Sequence, residues 1–221
     1  MNSGHESDHD RKRRLRRDLL EVRRSLPPDV VAATGAELAR RTLELAEFRA
    51  VASGEGAPGT ETPSGRAAAP AVAAYVSIGN EPGTLPLLDR LRAAGVRVLL
   101  PVLLPDNDLD WAVYEGAERL VRAGWGLLEP AGERLGPEAV TEAGVVLLPG
   151  LAVDGRGLRL GRGGGSYDRV LERLERAGST ASLVVLLYDT EVLEDVPAEA
   201  HDRPVHAAVT PSGVHRFLGP S

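Results

Sequence analysis

The chain contains no cysteine. That excludes disulfides, thiolate nucleophiles and cysteine-based metal sites. Aromatic side chains make up only 4% of the residues, so the core falls to Leu, Val and Ala. The same scarcity removes the aromatic-interleaved basic surface with which RNA-binding modules stack bases. The net charge of −6 argues further against a nucleic-acid partner. No apolar run approaches the roughly 18–20 residues of a membrane span, and no apolar signal segment follows the basic N-terminus. A soluble, cytoplasmic, monomeric protein is expected. Lysine is nearly absent too: Lys12 is the only one, and arginine serves elsewhere as the cation.

What is present is enough for one substantial core. Residues 1–9 are polar and are expected to be disordered, with His5 and His9 solvated. Residues 10–221 read as one α/β domain interrupted by a flexible insertion at 52–70, which is rich in Gly, Ala, Pro, Ser and Thr and has no large apolar side chain to order it. A first helix spans Asp10 to Ser25, with Leu15, Leu19, Val22 and Leu26 as its apolar stripe. Lys12 and Arg16 share one of its faces. A solvated basic face, an RNA surface and a phosphate-binding pair are all compatible with this helix. A second helix runs from about Asp29 to Glu47.

Ala71 to Ile78 forms an apolar strand, followed by a loop to Thr84, a helix from Thr84 to Ala94 stopped by Gly95, and a strand from Val96 to Leu100 ending at Pro101. This β-loop-α-β unit implies a parallel sheet, with ligands at the carboxyl ends of its strands. Glu81 sits at such an end; it is either a ligand contact or an acidic residue favourable to the helix dipole. Leu109 to Val113 alternates as a half-exposed strand in which Trp111 packs. Trp125 beside Gly126 is a stacking platform for a flat ligand or a plug beneath its loop. Further strands cover Val145–Leu148, Leu183–Tyr188 and Val205–Val209, and Asp154-Gly155-Arg156-Gly157 marks a hairpin turn.

The most informative stretch is Leu160-Gly161-Arg162-Gly163-Gly164-Gly165-Ser166-Tyr167-Asp168, which leads into a helix reaching Ala177 with Leu171 and Leu174 inward. Its glycines can turn backbone N–H groups inward on an anion, and the helix N-terminus adds partial positive charge. Arg162 offers a planar fork to phosphate or carboxylate. Asp168 is a hard oxygen donor of the kind magnesium uses. The loop matches neither the dinucleotide fingerprint nor the P-loop, so a phosphate cradle and a plain capped turn both stand on this stretch alone.

Five separated motifs together resemble the 5-formyltetrahydrofolate cyclo-ligase (5,10-methenyltetrahydrofolate synthetase) family: Lys12-x-x-Leu15-Arg16; Ser77-x-x-x-Glu81-x-x-Thr84; Trp125-Gly126-Leu127 with Glu129-Pro130; Leu148-Pro149-Gly150-Leu151-Ala152 running through the glycine loop to Arg169; and Pro197 through His201-Asp202. The resemblance implies an α/β fold with a mainly parallel central sheet flanked by helices, in a single three-layer domain. It implies an ATP- and magnesium-dependent ligase that converts 5-formyltetrahydrofolate, with or without a polyglutamate tail, to 5,10-methenyltetrahydrofolate with release of ADP and phosphate. By the same resemblance Lys12, Arg13, Arg14, Leu15 and Arg16 would bind ATP together with Arg159, Leu160, Gly161, Arg162, Gly163, Gly164, Gly165, Ser166 and Tyr167. Lys12 and Arg162 would be catalytic. Val76, Glu81, Trp125 and the Arg162–Ser166 segment would contact folate, and Asp168 and Asp202 would hold Mg2+. The chain departs from the family pattern at Ser166 (where a tyrosine is usual), at Glu191 (a glutamine), near His206 (an aspartate), and in the length of the 52–70 insertion.

Overall fold

The computed structural model describes residues 7–53, 71–199 and 202–217, and of Trp125 only the backbone. Residues 54–70 and His201 thus lie outside the described residues, as do positions 1–6. The chain opens with α1 (Asp8–Arg24), α2 (Pro28–Leu43) and α3 (Ala46–Ser53). Helix α1 starts two residues earlier than the sequence pattern indicates, because Ser7 caps it by accepting from the Asp10 N–H. Asp8 and His9 are therefore helical rather than disordered. The expected second helix is two helices, and α3 takes in the first residues of the expected insertion.

The strands are β1 (Ala71–Ala73), β2 (Arg97–Leu103), β3 (Leu109–Val113), β4 (Leu120–Arg122), β5 (Leu128–Pro130), β6 (Ala143–Leu148), β7 (Ala152–Asp154), β8 (Arg159–Leu160), β9 (Ser182–Leu186), β10 (Val192–Leu193), β11 (Ala207–Val209) and β12 (Val214–Arg216). Helix α4 (Leu85–Ala93) links β1 to β2, and α5 (Ser166–Arg176) precedes β9. The main sheet has the order β12-β11-β9-β6-β1-β2-β3. Its five inner strands are parallel, and β3 and β12 close the edges antiparallel. One face packs on α2, α3 and α4 through Leu38, Phe48, Leu87 and Leu91. The other packs on α5 and the 137–142 turn through Val140, Val170 and Leu174. Trp111 is fully buried in that second layer, as expected of a packing residue.

Two strand ends differ from the sequence reading for a local reason. Strand β1 ends at Ala73, with a last bond from the Ala74 N–H to the Leu99 carbonyl at 2.8 Å. Beyond it the N–H groups of Ser77 and Ile78 donate to the side chains of Thr84 (2.9 Å) and Glu81 (2.8 Å) instead of to a neighbouring strand. Strand β2 runs past Pro101 to Leu103 because Pro101 faces Trp111 of β3 where β1 has already ended, so the missing N–H breaks no ladder.

Helix α1 does not cover the main sheet. Leu15, Leu19 and Leu20 pack on a third apolar cluster of Leu151, Ala152, Leu160 and Val196, over the small sheet β10-β7-β8. Val22, expected in the apolar stripe, is 53% exposed, and Leu20 takes its place, which rotates the helix and turns Lys12 and Arg16 toward the strand ends. The small sheet depends on Asp154, which is fully buried. Its carboxylate accepts from the N–H groups of Arg156 (2.9 Å), Leu158 (3.1 Å) and Val196 (3.1 Å) and from the Arg156 guanidinium. Burial opposes the charge, but these donors outweigh it and hold the carboxyl below its usual range. A depressed pKa contributes stability that is present above the unfolded value near pH 4 and is lost as pH falls through the folded value. Asp154→Ala is therefore expected to cost about 3 kcal/mol at pH 7. The difference from the unmodified chain should shrink only as pH falls below the unfolded value near 4 and through the folded one, as checked by urea unfolding at successively lower pH.

Candidate active site

A cleft of about 600 Å3 opens at the carboxyl ends of the parallel strands, of the size expected for a ligand site. Its floor is the glycine loop. Gly163 (φ +89) and Gly165 (φ +79) adopt backbone conformations that other residues resist. A Cβ on Gly163 would also stand 3.3 Å from the Arg16 guanidinium carbon. Gly165 is the N-cap of α5 and offers no side-chain acceptor; the Asp168 N–H turns back on the Gly165 carbonyl at 3.2 Å, and the N–H groups of Ser166 and Tyr167 head the helix, where an anion is favoured.

Helix α1 forms one wall. His9, Lys12 and Arg16 line the cleft from successive turns. Arg16 Nε donates to the Gly161 carbonyl at 2.9 Å, which ties the wall to the floor. Lys12 is 4% exposed, with Nζ 2.8 Å from Glu199 and 2.5 Å from Asp202. Burial disfavours its charge, yet the two carboxylates more than compensate and raise its pKa. The Arg159 side chain is only 7% exposed; its Nη1 donates to the Pro149 carbonyl at 2.7 Å, and its Nη2 lies 3.8 Å from Asp168. Its Nε and the Tyr167 hydroxyl are buried without hydrogen-bond partners among the described residues. Desolvation pulls the Arg159 guanidinium down and pushes the Tyr167 phenol up.

The opposite wall holds Glu81, which is 5% exposed. Its Oε2 accepts from the Ile78 N–H at 2.8 Å, and its Oε1 faces Arg162 Nε at 3.2 Å. Thr84 and Ser77 close the loop around it by exchanging backbone-to-hydroxyl bonds of 2.9 and 3.2 Å. Arg162 thus bridges the glycine loop and the Glu81 loop.

A family model described as the 5-formyltetrahydrofolate cyclo-ligase family matches residues 63–211. The chain belongs to this family. A 5-formyltetrahydrofolate cyclo-ligase of Mycolicibacterium smegmatis is 40% identical over 205 residues, covering 90% of this chain and 93% of its own length. The Escherichia coli K12 protein of the same name is 35% identical over 145 residues, covering 65% and 79%. The NMR structure of Aquifex aeolicus 5,10-methenyltetrahydrofolate synthetase is similar with a TM-score of 0.73 at 27% identity, over 95% of both chains.

In this cyclo-ligase family member the cleft gathers Lys12, Arg16, Val76, Glu81, Arg159, Leu160, the whole 161–167 segment, Asp168 and Asp202. Three expected nucleotide residues stand apart from it. Arg13 and Arg14 lie on the exposed side of α1, Arg13 paired with Asp10, and Leu15 packs on the third apolar cluster. The Trp125 side chain lies outside the described residues; its neighbours Leu127, Leu128 and Glu129 line the cleft. Tyr75, Glu199 and His9 also line it and are not legible in the sequence as site residues. Helix phase alone could have flagged His9, at i−3 from Lys12. Of the departures from the family pattern, Ser166 faces the cleft. Glu191 and His206 do not line it: Glu191 is buried against Arg23, and His206 Nδ1 accepts from the Leu183 N–H.

Magnesium suits the donors present. Asp168 is a 59% exposed carboxylate beside the glycine loop. No group of three or more metal-ligating side chains occurs among the described residues. A single exposed carboxylate beside a phosphate cradle is the kind of donor that magnesium combines with phosphate oxygens and water. Asp202 is engaged by Lys12 and by the Glu199 N–H. No helix among the described residues is long and apolar enough to cross a membrane.

Proposed function

We propose that this chain converts 5-formyltetrahydrofolate to 5,10-methenyltetrahydrofolate at the expense of ATP, in the cleft between α1, the glycine loop and Glu81. The observation that carries this reading is the Arg162–Glu81 contact, which sets a phosphate cradle and a buried carboxylate side by side. The formyl oxygen attacks the γ-phosphorus as the bond to ADP breaks. N10 then attacks the activated formyl carbon and loses its proton, and the C–O bond breaks to release phosphate. Such transfers ask for positioning and for cations around the transferring oxygens. Lys12 and Arg16 supply charge from one wall, Arg162 from the floor, and the N–H groups of Ser166 and Tyr167 at the start of α5 complete the cradle. Glu81 accepts pterin N–H groups through charge-assisted bonds. Asp168 would hold Mg2+, which supplies further charge neutralisation on the phosphates.

Incubation of the protein with 5-formyltetrahydrofolate, ATP and magnesium should generate the methenyl chromophore; its absence at every magnesium concentration rejects this reading. Asp168→Asn is expected to raise the magnesium concentration needed for half-maximal rate by about tenfold and to change folate affinity little. A magnesium titration of turnover beside a folate binding curve checks this, and the reverse pattern refutes the assignment.

A further inference from the structure

Behind Glu81 and Arg162 the C-terminal turn of α1 ends in a polar joint, whose Arg23 and Asn80 line a second cavity with those two residues. Arg23 and Glu191 are 3% and 4% exposed along their side chains and form a bidentate pair at 2.6 and 2.8 Å. Arg23 Nη2 also donates to the Gly150 carbonyl at 2.7 Å, and its guanidinium carbon lies 5.8 Å from the centre of the Tyr188 ring. Glu191 Oε2 accepts from the Tyr188 N–H at 2.9 Å, and the Tyr188 hydroxyl donates to the Asn80 carbonyl at 3.0 Å. The circuit closes on α1 itself, because Asn80 Nδ2 donates to the carbonyls of Arg23 (2.8 Å) and Leu26 (3.3 Å).

This joint ties α1 to three strand-end segments at once, and two of them adjoin site residues. Asn80 precedes Glu81. Gly150 follows Pro149, whose carbonyl holds Arg159. Tyr188 and Glu191 lie just past β9. Helix α1 is a rigid rod, so fixing its last turn sets the position of Arg16 about 10 Å away and of Lys12 about 16 Å away along its axis. Stability alone is a poor reason for such a joint. A buried ion pair seldom outperforms well-packed apolar residues, and Arg23 Nη1 is buried with no hydrogen-bond partner among the described residues.

We infer that Arg23, Glu191 and Asn80 are positioning residues, which set the nucleotide-side cations of α1 and the folate-side Glu81 loop from one joint. On this inference, which rests on the cyclo-ligase reading above, Glu191 is part of the frame and not a weakened substrate contact.

The test separates placement from folding. The double variant Arg23→Met/Glu191→Leu replaces the pair by apolar side chains and should keep its melting temperature within a few degrees. It should bind ATP-magnesium about tenfold more weakly by calorimetry without folate, and raise the KM for 5-formyltetrahydrofolate by about as much. In Glu191→Gln the single amide oxygen can still accept from the Tyr188 N–H and Arg23 Nη2, while the amide nitrogen meets Arg23 Nε, donor against donor; its losses on both measures should be about threefold, smaller than those of the double variant. Asn80→Ala, a part-buried change, should raise the folate KM about fivefold and leave nucleotide affinity within about twofold. A folded double variant with both affinities unchanged would overturn the inference. Should that variant fail to fold, an Asn80→Ala protein with an unchanged folate KM overturns it alone. Failure of the unmodified protein to turn over would reject the cyclo-ligase reading instead, and the ATP calorimetry would still report on the joint.

Discussion

Replacing Lys12 by methionine should lower kcat/KM for ATP by about 10²- to 10³-fold, the range seen when a single preorganised charge donor is removed from a reacting oxyanion. Methionine preserves much of the length and the buried stem but not the ammonium. The ammonium is held by Glu199 and Asp202, and its pKa is raised, so its contribution to stability is complete below the unfolded value near 10.4 and fades only as pH rises above it. It is fully charged wherever the enzyme would be assayed. The substitution also leaves two carboxylates facing each other, at a cost of about 1–2 kcal/mol, because Glu199 and Asp202 are 35% and 20% exposed and regain water. The two effects separate in Lys12→Met/Glu199→Gln, which removes one of those charges. That pair should recover part of the melting temperature and none of the turnover. A loss of less than tenfold for Lys12→Met, at saturating folate and with chromophore formation as readout, would remove Lys12 from the phosphate cradle.

The same lysine shows how much the amino-acid sequence carries by itself. Lys12 stands out because the chain otherwise uses arginine, and its partnership with Arg16 follows from helical spacing alone. The parallel layer follows from the order of apolar runs and the β-loop-α-β unit, and the glycine loop from its composition. What stays hidden is set by contacts distant in sequence. Arg13, Arg14 and Leu15 lie in the same motif as Lys12, but a helix sends adjacent residues to different faces. The choice of face depends on the third apolar cluster, where Leu20 packs and Val22 does not. Glu199 meets Lys12 across 187 residues, a pairing that no local pattern encodes. Glu191 is the clearest case: a departure from the family pattern suggests altered substrate affinity, and only the buried Arg23 pairing shows where its charge is balanced.

The Glu81–Arg162 contact can be tested from both sides. Glu81→Gln should lower kcat/KM for 5-formyltetrahydrofolate by about 10²-fold and leave nucleotide affinity within about threefold. The glutamine carbonyl can still accept from the Ile78 N–H, which the native carboxylate receives at 2.8 Å, so the loop should persist. Its amide nitrogen would then face Arg162, donor against donor, where Oε1 now stands 3.2 Å from Nε. The change thus removes the charge offered to the pterin and releases the arginine from its place over the glycine loop. Arg162→Met removes the cation and leaves Glu81 with its backbone bond, so it should reduce kcat more than folate KM. Two side chains acting as one unit give non-additive losses, and the double variant should be little worse than the poorer single one. If Arg162→Met alone abolished turnover and Glu81→Gln had no effect on the folate terms, the carboxylate would be only a counter-ion for Arg162, and the pterin contact would have to be sought among the other residues of that wall.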